Sequence, residues 1–312
     1  MPELPEVETT VVGLQKAVIG QTIRELWSNS FSVAYVNRNN HKNKSYFAKL
    51  RDGVKGKKIE KVTRRGKYIV IALSGDITLV IHMKMTGHLL YGNYSLRDEQ
   101  ADSWPWIPEE KNGKSDTPLH DPYNRHIRAV FTLENKNGAR NHLVFCDPRK
   151  FGTIELFENK ELHTKLGKLG PEPLDKEFTL PLFKELLKKK RGGFIKSVIL
   201  DQELLVGVGN IYSDEALHLS HIHPLREVTT LKENAISLLY KSIQKVLRAG
   251  IDFGGDSMSD YRNIDGARGA FQGKHLVYLR HGKPCITKDC TGIIQKKKVG
   301  SRSAHFCAVC QK

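Results

Sequence analysis

The chain changes its hydrophobic period near its middle. Residues 5–18 read as one amphipathic helix, with Pro5 in the first turn and Gly20 past the end. Short runs rich in Val and Ile follow at 22–27, 58–63, 68–73, 77–82, 127–133, 142–146 and 153–157, separated by Gly, Asn and Asp. Runs of that length and spacing predict an antiparallel sandwich or barrel. Two polar stretches interrupt them, 37–57 and 94–124, the second holding Trp104-Pro105-Trp106; both read as surface insertions. The Gly/Pro-rich segment Leu166 to Leu174 marks a domain boundary. Beyond it apolar residues recur at spacings of three and four over 180–190, 195–200, 210–219 and 231–249, which predicts helices. A Gly-rich loop spans 250–273, and a cysteine-bearing hairpin ends the chain. No solenoid-type repeat is present.

A length of 312 residues suffices for two domains with their own cores, and a hydrophobic content of 39% is ordinary for a globular protein. No apolar run is long enough to span a bilayer, and no charged-then-apolar leader is seen. The net charge of +16 points to a polyanionic partner, nucleic acid first and an anionic membrane second.

Four of the five cysteines fall within the C-terminal hairpin, which favours a metal site over a disulfide framework. Cys285 and Cys290 form a C-x4-C pair; after sixteen intervening residues Cys307 and Cys310 form a C-x2-C pair. Two thiolate pairs on two turns close a tetrahedral site, and four sulfurs suit one structural Zn²⁺. Lys296-Lys297-Lys298, Gly300 and Arg302 between the pairs make a basic tip suited to phosphates. His305 is expected on the hairpin surface, and Cys146, in the apolar run Leu143 to Cys146, as a small buried hydrophobe.

The first residues, Met1-Pro2-Glu3-Leu4-Pro5-Glu6-Val7-Glu8, carry a second kind of chemistry. If Met1 is removed, Pro2 presents a free secondary amine, and α-amino groups titrate near pH 8, so part of it is unprotonated at neutrality. Such an amine attacks an aldehyde carbon and gives an iminium ion, an electron sink for eliminations. Glu3 and Glu6 are placed to move protons. Taken alone, the octet reads first as prolines bracketing a helix start. Further on, Gly207 and Gly209 precede Asn210 at the start of a helix, where free N–H groups make a phosphate site and Lys196 supplies countercharge. An ordinary Gly-rich turn with Asn210 as N-cap fits that segment as well.

Taken together these residues resemble the Fpg/Nei family of DNA glycosylases, and within it the formamidopyrimidine-DNA glycosylases. The motifs are Met1 to Glu8, Arg64-Arg65-Gly66-Lys67-Tyr68, His82-Met83-Lys84-Met85-Thr86-Gly87, Asp147-Pro148-Arg149-Lys150-Phe151-Gly152, Leu169 to Leu174, Asp201 to Tyr212 and the terminal cysteines. The resemblance implies an α+β protein. An N-terminal β-sandwich with flanking helices (1–165) and a linker (166–180) would precede a helix–two-turn–helix lobe with a lesion-capping loop (181–270) and a zinc-finger β-hairpin (271–312). Duplex DNA would lie in a basic cleft with the damaged nucleotide flipped out.

Residue by residue, the resemblance makes Pro2 the nucleophile, Glu3 the acid that assists sugar opening, Lys67 the aid to β-elimination and Arg302 the phosphate grip that assists δ-elimination. Met85, Arg149 and Phe151 would fill the void left by the flipped base, Arg149 bonding the estranged cytosine. Lys196 and Asn210 would hold the flanking phosphate, His126 would contact DNA, and Glu6 and Glu215 would support the centre. Nei-type proteins start Pro-Glu-Gly-Pro and use other void fillers, so Leu4 and the trio favour oxidised purines over pyrimidines. The implied protein is a monomeric, zinc-containing, cytoplasmic and nucleoid-associated repair enzyme without a redox cofactor. Four features depart from the pattern: the longer first knuckle, the two long polar stretches, Gly192 where relatives carry lysine (Arg191 standing in), and Asp256 and Met258 in the capping loop. A non-catalytic zinc-finger protein that binds damaged DNA also fits the charge and the finger; Pro2, Glu3, Lys67 and Arg302 together separate the two.

Overall fold

The computed structural model describes residues 1–29, 31, 40–97, 105–110, 117–190, 192–258 and 260–312. The chain divides into two compact units. The first comprises residues 1–2, 6–167 and 254–269; the second comprises 3–5, 168–253 and 270–312.

The first unit is a sandwich of two four-stranded antiparallel sheets. Strands β1 (Thr22–Ser28), β8 (Ile127–Glu134), β9 (Arg140–Cys146) and β5 (His88–Gly92) form one, in that order. Strands β10 (Thr153–Glu158), β4 (Ile77–His82), β3 (Tyr68–Leu73) and β2 (Ile59–Arg65) form the other. Inward side chains of both, among them Leu26, Phe131, Phe145, Ile69, Leu79 and Ile154, meet in one buried core with helix α1 (Leu4–Ala17). Burial of the inward apolar faces of the two sheets drives this packing. β5 lies outside the sequence-expected runs, because its five residues open on His88 and end on Gly92, leaving only Leu89, Leu90 and Tyr91 as an apolar pattern.

Both polar stretches depart from the surface-insertion expectation. Within 37–57, helix α2 (Lys44–Val54) is capped by the Asn43 side chain and buries Phe47, Leu50 and Val54 in the core. Within the described part of 94–124, β6 (Tyr94–Leu96) pairs with β7 (Trp106–Pro108), and two 3₁₀ turns follow at Pro118–His120 and Pro122–Arg125. Tyr94, Trp106 and Leu119 cover Leu90, Ile127, Val130, Val144 and Cys146 on the outer face of the β8–β9 sheet. That roof is why β8 is buried on both faces, Arg128 and Thr132 included. Cys146 is buried there as expected, and burial pushes its thiol pKa up.

The second unit is helical. After helix α3 (Asn159–Leu166) closes the first unit, α4 (Leu180–Lys189), α5 (Ile195–Ile199), α6 (Asn210–Leu219) and the long α7 (Glu233–Asp252) pack around Phe183, Ile199, Leu205, Tyr212, Leu239, Ile243 and Leu247. The hairpin β11 (Ile294–Val299) and β12 (Arg302–Cys307) follows, turned by Gly300 at φ +57°. The helical and β spans lie within a few residues of those read from periodicity. No helix among the described residues is long and apolar enough to cross a membrane.

Candidate active site and metal centre

In the second unit the N-terminal segment seats against the loop before α6. Leu4 N–H donates to the Gly207 carbonyl at 3.0 Å. Gly207 holds φ +89°, and a Cβ there would lie 2.7 Å from Leu4 Cδ1. The Glu3 carboxylate accepts the Ile211 N–H at 2.9 Å and the Tyr212 N–H at 3.4 Å. Gly209 leaves that carboxylate its room, since a Cβ would come within 2.3 Å of Glu3 Cδ. The two glycines that the sequence offers to a phosphate thus make a cradle for the chain's own start, and Glu3 takes N–H groups at the head of α6. Asn210 is the first residue of α6, with Gly209 as its cap, and its Oδ1 is buried without a partner among the described residues. Pro2 immediately precedes Glu3 and is buried.

Lys196 is fully buried. Its Nζ donates to Asp214 Oδ1 at 2.5 Å and to Ser213 Oγ at 3.2 Å. Asp214 also accepts the His305 N–H at 2.9 Å, and its Oδ2 lies 3.1 Å from His305 Nδ1. His305 is therefore buried and tied to α6, which corrects its expected place on the hairpin surface. A polar ring within a hairpin strand carries no sequence signal for a carboxylate 91 residues away. Glu215 grips the segment leading to the finger, accepting N–H bonds from Leu276 at 2.7 Å, Val277 at 3.1 Å and Tyr278 at 2.8 Å. Burial nevertheless pushes its pKa above the ordinary carboxylate range. Arg191 lies outside the described residues.

The four cysteine sulfurs lie within 4.8 Å of one another. A tetrahedron of sulfurs around an ion at about 2.3 Å has edges of about 3.8 Å. Cys285 to Cys310 spans 3.8 Å and Cys290 to Cys307 spans 3.6 Å, so the set fits one metal ion. Burial and the neighbouring sulfurs push the Cys310 thiol up to about 12, while at Cys285 burial is outweighed by hydrogen bonds from Thr287 and the neighbouring thiols, which bring it down to about 7. In the longer first knuckle the Thr287 hydroxyl reaches His218 Nε2 at 3.2 Å and Cys310 Sγ at 3.8 Å. Lys296, Lys297, Lys298 and Arg302 are exposed on the hairpin.

In the first unit, Lys67 is buried in the turn between β2 and β3, where Gly66 has φ +56°. Glu6 is buried too and accepts the Asp256 N–H at 2.7 Å. Two loops carry the remaining residues. The loop after β4 holds Met85, half-buried; the loop after β9 holds Arg149 and Phe151, both exposed. Thr86 Oγ1 donates to Asp147 Oδ1 at 2.5 Å and accepts the Arg149 N–H at 3.3 Å, while Asp147 Oδ2 takes the Gly152 N–H at 2.7 Å. These bonds lace the two loops together and bring the trio onto neighbouring loops. The Arg149 guanidinium stacks over the Phe151 ring at 4.7 Å. Lys42, from the first polar stretch, donates its Nζ to the Lys150 carbonyl at 2.7 Å and buttresses the second loop. His126 is half-buried, and burial with Arg128 and Arg125 lowers its pKa below the ordinary histidine value.

Residues 1–154 match the formamidopyrimidine-DNA glycosylase N-terminal domain, and residues 169–262 match the formamidopyrimidine-DNA glycosylase H2TH domain. The formamidopyrimidine-DNA glycosylase of Heliobacterium modesticaldum is 37% identical over 314 aligned residues, covering 100% of both chains. That of Thermus thermophilus is 35% identical, covering 100% of this chain and 98% of its own. Among solved structures, the complex between the Lactococcus lactis Fpg and an abasic-site-containing DNA superposes with a TM-score of 0.79 at 33% identity, covering 99% of each chain. Domain matches over most of the sequence and relatives aligned along all of it place the chain in the formamidopyrimidine-DNA glycosylase family.

Proposed function

We propose that this chain is a bifunctional DNA glycosylase and AP lyase that excises oxidised purines, 8-oxoguanine and formamidopyrimidines, from duplex DNA. The observation that carries the reading is the seating of Glu3 at the head of α6, because it fixes the acid directly beside Pro2 in the chain. With Met1 removed, the Pro2 nitrogen is a secondary amine; with Met1 present it is an amide without a nucleophilic lone pair. The amine attacks C1′ of the damaged nucleotide, and the glycosidic electron pair leaves with the base, which takes up the proton that the attacking nitrogen loses. Glu3 supplies a proton to O4′ as the C1′–O4′ bond opens, leaving a C1′ iminium.

Loss of a C2′ proton then forms a carbon–carbon double bond as the 3′-phosphate leaves, with Lys67 assisting. A second elimination expels the 5′-phosphate with Arg302 holding it, and water hydrolyses the iminium to free Pro2 and an unsaturated aldehyde. Met85, Arg149 and Phe151 occupy the space of the extruded nucleotide, Arg149 pairing the estranged cytosine. Asn210 and His126 contact the backbone, Glu6 and Glu215 support the centre, and residues 254–258 face the excised base. Lys196 acts through Asp214 and the head of α6. One Zn²⁺ on Cys285, Cys290, Cys307 and Cys310 stiffens the finger and takes no part in the chemistry. The protein acts as a monomer, among the DNA of the cytoplasm.

The test is incubation of the Met1-processed protein with a duplex carrying 8-oxoguanine opposite cytosine, followed by borohydride. A covalent protein–DNA adduct and strand nicking are expected. Tight binding with neither sinks the reading, and unchanged trapping by Pro2→Gly moves the nucleophile to a lysine.

A further inference from the structure

Among the described residues Arg262 is the largest fully buried side chain. A cation out of water is costly unless paired, so its partners define what it does. Its Nε and Nη2 donate to Asp121 Oδ2 at 3.1 and 3.0 Å, and its guanidinium lies 4.9 Å over the Tyr123 ring. Its Nη1 donates to the Tyr261 carbonyl at 2.9 Å. Asp121 and Tyr123 belong to the long 94–124 stretch, and that part is fixed in turn: Asn124 gives its Nδ2–H to the Pro118 carbonyl at 2.8 Å, and its Oδ1 lies 2.9 Å from His88 Nε2 on β5. Gly266, at φ +83°, lets the backbone run directly over Pro118, where a Cβ would meet the carbonyl oxygen at 2.6 Å.

The other side of the same segment is held by α1. Asp256 N–H donates to Glu6 Oε1 at 2.7 Å, and Tyr261 O–H donates to the Glu6 carbonyl at 3.0 Å. Ser257 Oγ donates to the Tyr261 carbonyl at 2.8 Å, the oxygen that Arg262 also holds. Met258 stands between these anchors and is 50% exposed.

We propose that Asp121 and Arg262 are positioning residues that tether the Met258 segment to the 94–124 stretch and thereby set which damaged base the centre accepts. This rests on the glycosylase reading, in which the segment faces the excised base. An abasic site has no base to meet, so the tether matters for base excision and is silent in strand cleavage at a preformed abasic site.

The test uses the full chain without Met1 and two duplexes, one with 8-oxoguanine opposite cytosine and one with an abasic site. Arg262→Met and Asp121→Asn should slow single-turnover excision about tenfold or more. They should leave abasic nicking unchanged and speed amide exchange at Asp256, Ser257 and Met258. Arg262→Lys, which keeps the charge, should recover part of the excision rate. Excision unaffected, or both activities falling in step with the melting temperature, overturns the proposal; Asp121→Asn gives that comparison if Arg262→Met does not fold. If the unaltered protein nicks the abasic duplex and leaves 8-oxoguanine in place, the substrate reading fails, and unchanged amide exchange in the variants is then what overturns the tether.

Discussion

The Glu3 carboxylate accepts the backbone N–H of Ile211 at 2.9 Å, across more than two hundred residues of sequence, and Gly209 is what makes room for it. Two backbone N–H groups at the head of α6 thus orient the carboxylate. Gly209→Ala would place a Cβ 2.3 Å from Glu3 Cδ, so the carboxylate must leave its seat. Strand nicking is expected to fall about a hundredfold for a displacement of that kind. Glu3→Gln, whose amide oxygen keeps the shorter bond from the Ile211 N–H and gives up the longer one from Tyr212, should retain fold and DNA binding while losing about a hundredfold or more of the rate. Gel assays of nicking beside thermal melts check both; a Gly209→Ala protein with full activity removes Glu3 from the chemistry.

Lys196 and Asp214 are both fully buried, and Asp214 serves His305 as well. Removing one member of a buried pair strands the other, at about 3–5 kcal/mol. Lys196→Met should therefore unfold at markedly lower denaturant than the unaltered protein. The double variant Lys196→Met/Asp214→Leu should recover part of that loss, because no lone charge remains. A denaturant-based double-mutant cycle reads the coupling; near-additive losses mean that the two charges do not act as a pair.

Features with a local signature were legible in the sequence. β3 and β4 are runs of β-branched and apolar residues, and the cysteines sit at ligand spacing because a metal site needs its donors on tight turns. α2 was obscured because Lys44, Ser45, Lys49, Arg51 and Asp52 outnumber Phe47, Leu50 and Val54, so the apolar stripe hides in polar text. The long-range pairs were illegible for another reason. Asp121 with Arg262 lie 141 residues apart, and Asp214 with His305 lie 91 apart. Each member alone is an ordinary polar residue, and only the fold makes it a partner. The head of α6 holds a contact that its sequence does not announce: free N–H groups after a glycine pair read as a phosphate site, and the chain's own Glu3 carboxylate takes two of them.

The sulfur spacing leads to a prediction about metal. One Zn²⁺ per chain is expected by elemental analysis, released by a thiol-modifying reagent in step with loss of four thiols. Metal removal should lower duplex affinity, since β11 and β12 are joined to the knuckles through Ile294 and Cys307 and carry the lysines and Arg302. The Thr287 hydroxyl beside Cys310 Sγ and His218 should slow metal loss, so Thr287→Val is expected to release zinc to a chelator faster. Equal release rates would leave Thr287 as packing alone, and a chain that holds no zinc would refute the four-thiolate site.

Glu215 supplies a pH dependence. Burial pushes its pKa above the ordinary carboxylate range against the pull of three backbone N–H donors. In an unfolded chain a glutamate titrates near about pH 4.3. A carboxyl raised in the folded state contributes stability that is complete below the unfolded value and is lost as pH rises through the folded one. Glu215→Gln removes that dependence. The amide oxygen keeps two of the N–H bonds, while its nitrogen faces the Leu276 N–H, a penalty that does not vary with pH. The stability of the variant relative to the unaltered protein should accordingly climb as pH is raised from about 4 toward neutrality. Denaturation curves collected across that window give the slope directly. A difference that stays flat, or that falls with pH, means that the three N–H donors outweigh burial and that Glu215 is held as a stabilised anion.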